Sequence, residues 1–105
     1  MLTIEERKIY FTRGDTGYFM VGMEGYEPTE GDKLVFTVKK EIGGEKLIQK
    51  VINIGETFIL NPEDTRDLDY GKYWYDIEIQ GATGLIYTII EKTAFYLREE
   101  VNTYD

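Results

Sequence analysis

The sequence predicts an all-β, antiparallel sandwich of about seven to eight strands carrying one short helix. Three observations predict it. The dominant hydrophobic period is two, as in "KLVFTVKK" and "KYWYDIEIQ". Turn signals recur at nearly regular intervals: "RGDTG", "YEPTEGD", "EIGGE", "NIGE", "NPEDTRDLDYG" and "QGATG". Only one segment, "NPEDTRDL", has the chemistry of a helix start.

Strands are expected near residues 7–12, 17–23, 33–41, 46–54, 57–60, 72–80, 84–91 and 93–99. The first two are joined at "RGDTG", where Gly14 and Gly17 are expected at positive φ. Asp15 is expected to close that turn through a backbone N–H, with Arg13 solvated. Arg13–Asp15 therefore reads as turn chemistry rather than an integrin-directed adhesion signal. In the third strand Leu34, Phe36 and Val38 alternate with Lys33, Val35, Thr37 and Lys39. Lys39, Lys40, Lys46 and Lys50 gather around the next hairpin, where lysines protect an exposed edge. No repeat or linker interrupts the pattern, so residues 1–105 form one domain, with "VNTYD" expected to fray.

The helical exception has its own logic. Asn61 suits the N-cap, Pro62 the first helical position, and Asp64 the third residue after the cap. Glu63 and Asp64 lie at the positive end of the helix dipole. A single turn crossing between sheets is expected, with Leu68 packed beneath it. The next residues, Asp69, Gly71, Tyr73 and Tyr75, have the spacing of a tyrosine corner, which makes the sandwich immunoglobulin-like. A corner buries backbone carbonyls, and a tyrosine hydroxyl reaching back can satisfy one of them. Tyr75 stands where antibody domains place a cysteine, so aromatic packing replaces an inter-sheet disulfide.

Composition removes several function classes. The chain has 105 residues, a net charge of −8 and neither cysteine nor histidine. Disulfides, thiolate metal sites and thiol catalysis are excluded, as are histidine ligands and the usual general base near neutral pH. There is no serine nucleophile either. Clustered phosphate contacts are not expected at a pI near 4.5, nor is binding to an anionic membrane. The start "MLTIEERKIYF" has no signal-peptide character, and no run is long enough to span a bilayer. Synthesis in the cytoplasm without an export signal is expected.

Sharper chemistry is weighed residue by residue. The acids Glu63, Asp64, Asp67 and Asp69 lack the register of a calcium loop and read as a solvated helix cap. Asp76 and Glu78 share a strand face automatically, which is not a glycosidase signature. Trp74 could stack a sugar or lie beneath a neighbour. Nine tyrosines and 14% aromatics exceed what a core this small needs, and the surplus points to an interface. Trp74, Tyr26 and Tyr70 are the candidate interaction surface. No cofactor or metal site is expected.

Taken together, "FTRGDTGYF", "GDKLVFTVKK", "ILNPEDTRDLDYGKYWYDIEI" and "YTIIEKTAFYLREEV" resemble small β-sandwich modules of phages and prophages of Gram-positive bacteria. These belong with tail and baseplate proteins and are similar to the N-terminal domain of baseplate upper proteins. The resemblance spans roughly residues 8 to 101 and is most specific from Pro62 to Ile79. It implies a non-enzymatic structural or interaction module within a virion or phage-like particle. Its implied partners are other phage structural proteins, or further copies in a homo-oligomer, rather than nucleic acid or membrane. Such modules often continue into longer fibre segments, so a chain stopping at Asp105 is expected to act as a scaffold or adaptor. The alternative is a carbohydrate-binding or adhesive β-sandwich.

Overall fold

Residues 1–99 are described by a computed structural model, and "VNTYD" lies outside the described residues. The alternating apolar positions build eight strands and one helical turn: β1 (Leu2–Glu5), β2 (Lys8–Thr12), β3 (Gly17–Phe19), β4 (Lys33–Lys39), β5 (Ile48–Asn53), β6 (Phe58–Leu60), α1 (Pro62–Thr65), β7 (Gly71–Gln80) and β8 (Ile86–Arg98). Six strands form one sheet in the order β1-β2-β8-β7-β4-β5, and β3 pairs with β6 in a second. The protein is all-β with one short helix. One strand pair departs from the antiparallel expectation: β2 runs parallel to β8, from Ile9↔Phe95 to Thr12↔Arg98. No hairpin joins these two strands, so nothing in their connection forces them antiparallel.

The core lies between the two sheets. Phe36 is fully buried and touches rings from both. Its centroid is 5.1 Å from Phe19 of β3, 5.7 Å from Phe58 of β6, 5.5 Å from Tyr75 and 6.4 Å from Phe95. This aromatic cluster bridges the two sheets where no disulfide is available. Leu34, Val38, Ile77 and Ile79 complete the inner face around it.

Chain crossing between the sheets is fixed at α1. The Asn61 N–H donates to the Asp64 carboxylate at 2.7 Å, and Pro62 occupies the first turn. Lys50 binds the same carboxylate at 2.8 Å, which ties edge strand β5 to the helix. An inward-reaching lysine of this kind also discourages edge pairing. Leu68 packs against the core. Beyond it the Tyr73 hydroxyl donates to the Asp69 carbonyl at 2.6 Å, the closure that a tyrosine corner requires.

Three elements differ from the sequence expectation. Strand β1 was not anticipated, because its hairpin to β2 turns through Glu6 and Arg7, at φ 50° and 69°. Such turns normally announce themselves with Asn or Gly, and these two residues carry no such signal. Strand β3 ends at Phe19 rather than near 23, since β6 offers only three residues for pairing. The expected strands 84–91 and 93–99 are one strand, β8. Between Tyr75↔Thr93 and Ile77↔Ile90, and again before Glu78↔Thr88, β8 contributes one residue more than β7. These bulges break the alternation that sequence reading relies on, without breaking the strand.

Two measurements follow from this architecture. Phe36→Ala should lower unfolding free energy by about 3–5 kcal/mol in denaturant titration, because the cavity would face both sheets. Arg7→Gly should raise the melting temperature, since it relieves a left-handed conformation that costs an L-residue on the order of 1 kcal/mol. A fall in melting temperature would contradict the strained-turn account.

Candidate interaction site

A concavity of about 830 Å³ lies at one end of the sandwich. One wall is the first half of β8, Tyr87–Ile90, and the other is the irregular segment Met20–Tyr26. Its floor includes Ile9, Phe19, Tyr75 and Ile77, and the β1–β2 turn closes it near Arg7. The cavity exists because β2 pairs with β8 only from Phe95 to Arg98. Ahead of that, the chain has already turned through Arg7 into β1. The β2 side of Ile86–Lys92 therefore has no strand partner among the described residues. Exposed apolar side chains rim this end: Met20, Leu85, Ile86 and Tyr87 are 65%, 48%, 65% and 54% accessible.

Asp32 holds the loop above the cavity. It is buried, and its carboxylate accepts the Tyr26 hydroxyl at 2.6 Å, the Thr29 N–H at 2.8 Å and the Ala82 N–H at 3.1 Å. The Tyr26 hydrogen bond, then the Thr29 and Ala82 amides, hold this carboxyl below its ordinary range. The same contact pushes the Tyr26 phenol up. Tyr26 is thus half-buried and committed to a carboxylate rather than offered as a free surface. Asp32 was legible only as part of a turn, because its three partners come from separate positions in the chain.

The other two surface candidates are also partnered. The Arg13 guanidinium lies 4.1 Å from the Tyr70 ring centroid. Trp74 is half-buried on the outer sheet face, with the Lys72 and Lys92 ammoniums 4.2 Å and 5.4 Å from its ring. On the same face Tyr10 stacks on Tyr96 at 5.0 Å, and Arg98 sits 4.4 Å from Tyr10. This cation–aromatic face was missed in the sequence because its members are scattered over β2, β7 and β8. Only the cross-strand registers Tyr10↔Tyr96↔Lys72 and Trp74↔Ala94 bring them together. The lysines around the β4–β5 hairpin are therefore not the only cationic group.

The Arg13–Asp15 turn is built differently from its sequence reading. Arg13 is not solvated: it is half-buried, and its guanidinium donates to the Leu68 carbonyl at 3.2 Å. The Gly14 N–H donates to the buried Thr65 hydroxyl at 2.8 Å. The Asp15 carboxylate accepts the Met1 ammonium rather than closing its own turn. Gly14 has φ 80°, as expected, whereas Gly17 is needed for space. A Cβ there would lie 2.6 Å from the Phe11 ring. The tripeptide is consequently docked on the tyrosine corner.

Among the described residues no group of three or more acids is placed to hold a metal ion. Burial, and then Glu78, push the Asp76 carboxyl up, while Lys39 and Lys46 oppose the shift. Asp76 borders only a shallow pocket of about 90 Å³ with Trp74 and Lys92. No helix among the described residues is long and apolar enough to cross a membrane.

The Asp32 network gives a pH-dependent prediction. A lowered folded-state pKa contributes stability above the unfolded carboxylate value, near 3.9, and loses it as pH falls through the folded value. Asp32→Asn should lower the melting temperature at neutral pH, and its difference from wild type should shrink below about pH 4. A difference independent of pH would refute the charged-hub account. Comparison with protein-family models, curated proteins and solved structures returns no match for this chain.

Proposed function

We propose that this chain is a non-enzymatic structural and interaction module of a phage or prophage tail or baseplate apparatus. The observation that carries the interaction reading is the apolar end of the sandwich. Met20, Leu85, Ile86 and Tyr87 are exposed beside a strand edge that has no partner over Ile86–Lys92. Exposed apolar groups beside an open edge favour association with another polypeptide. The tail setting rests on the resemblance from Pro62 to Ile79. Rigid presentation is the mechanism: the Phe36 cluster and the tyrosine corner hold the edge in fixed geometry, and the partner surface supplies specificity.

Catalysis has little support beside this. There is no histidine, cysteine or serine. Asp76, whose carboxyl is pushed up, is half-buried on a sheet face and borders only a shallow pocket. Sugar stacking on Trp74 is the weaker binding reading, because two ammoniums already lie against the indole.

Quantitative mass spectrometry of purified tail particles tests the proposal. The chain should be present in fixed ratio to the tail proteins, and Ile86→Glu, at a 65% exposed position, should reduce incorporation while leaving the melting temperature unchanged. Particles lacking the chain, with the free protein abundant in the same lysate, would overturn it.

A further inference from the structure

We infer that the cavity beside β8 is a slot for one extended segment of a different, basic polypeptide, which adds a strand to the large sheet. This deepens the interaction reading above and rests on it. The slot is bordered on both sides by backbone that has no backbone partner among the described residues. Along β8 the edge facing β2 is open over Ile86–Lys92. Opposite it, the segment from Val21 to Pro28 makes no backbone–backbone hydrogen bond among the described residues. Backbone groups at an open strand edge are free to exchange water for strand partners, and a single inserted strand offers N–H and C=O groups to both walls.

The position of the slot is set by the parallel β2–β8 pair. Strand β2 occupies the line beside Phe95–Arg98 and leaves that line at Arg7, whose carbonyl accepts the Tyr75 hydroxyl. An inserted strand would continue the same line beyond the β1–β2 turn. Seven residues of β8, Ile86–Lys92, remain available, a length of roughly 23 Å at strand rise. Beneath that line lie Ile4, Ile9, Phe19, Ile77 and Ile89, which suit apolar side chains at alternate positions of the insert. The opposite face of the insert would meet solvent.

Charge decides the occupant. From Val21 to Gly31 the wall and its continuation carry the exposed acids Glu24, Glu27 and Glu30 and no Lys or Arg, while the neighbouring Asp32 carboxylate is buried and already held by three donors. Glu24 lines the cavity on this wall and Arg7 lines it at the β1–β2 turn, so the acidic bias comes from the exposed Glu27 and Glu30 that continue the wall. A second copy would bring the same acidic loop and a further charge of −8 to this edge. A segment with cations on its outward positions would gain where a second copy would be repelled.

The probe is a capped synthetic peptide alternating valine with lysine and threonine, added to the full chain. Amide hydrogen exchange by NMR is the readout. At saturation, exchange at Ile86–Lys92 and at Val21–Glu27 should slow by about tenfold or more, with other amides unchanged. The peptide with glutamate in place of lysine should give no protection, nor should one with a central proline. Tyr87→Lys, at an exposed position in the wall, should weaken binding of the basic peptide about tenfold by like-charge repulsion, leaving the fold intact. Equal protection by the acidic peptide, or protection confined to other strands, would overturn the inference. Protection that grows with protein concentration alone would identify a second copy instead and refute the assigned occupant. Ring and methyl shifts with a fatty acid, without amide protection by peptide, would make the cavity a small-ligand pocket and refute strand addition. A chain found in tail particles with an unprotected slot would sink this inference and leave the module reading standing.

Discussion

The ring of Phe36 is where the two sheets meet, and most of the architecture depends on keeping that meeting dry. It lies in the middle strand of β5-β4-β7 and reaches Phe19 and Phe58 on the small sheet, with Tyr75 and Phe95 beside it. Without cysteine, no covalent bond can hold the layers together, so ring packing has to do it. The corner at Asp69–Tyr73 and the Lys50–Asp64 pair then keep the chain from drifting as it passes between sheets.

The two layers are unequal, and the candidate site follows from that inequality. Strands β3 and β6 are three residues long, whereas β7 has ten and β8 thirteen. A small lid over a long sheet leaves one end covered by irregular chain. There Val21, Met23 and Tyr26 pack against the core without joining the sheet, and Asp32 supplies the order that strand pairing would otherwise give. Buried polar order of this kind keeps the loop in place while leaving the adjacent strand edge open.

Much of the fold was legible because it follows local rules. The alternation in β4 and β7, the Asn61–Pro62–Asp64 start and the Asp69–Tyr73 spacing each express one physical requirement over a few residues. What escaped was either unsignalled or non-local. A left-handed turn made by Glu6 and Arg7 has no compositional mark, and the bulges in β8 shift its inward phase midway. The site was less legible than the fold. Of Trp74, Tyr26 and Tyr70, Tyr26 lines the cavity, while the other two are engaged elsewhere by cations. The open edge itself depends on where β2 stops pairing, which no short stretch of sequence encodes. Arg13 looked free for a related reason: its acceptor, the Leu68 carbonyl, lies on the far side of the helical crossing.

The parallel register of β2 on β8 also governs the order in which the molecule can assemble. Its two halves come from near the two ends of the described chain, so the β1–β2 hairpin has no sheet to join until β8 has left the ribosome. At ordinary translation speeds that interval is on the order of five to twenty seconds, far longer than hairpin formation itself. Throughout it, Ile9 and Phe11 face water, and so do the strands waiting for the last one. The nascent chain therefore spends its synthesis as an unsealed sheet. The net charge of −8 then acts as a colloidal safeguard, holding neighbouring nascent chains apart until the final strand closes the seam.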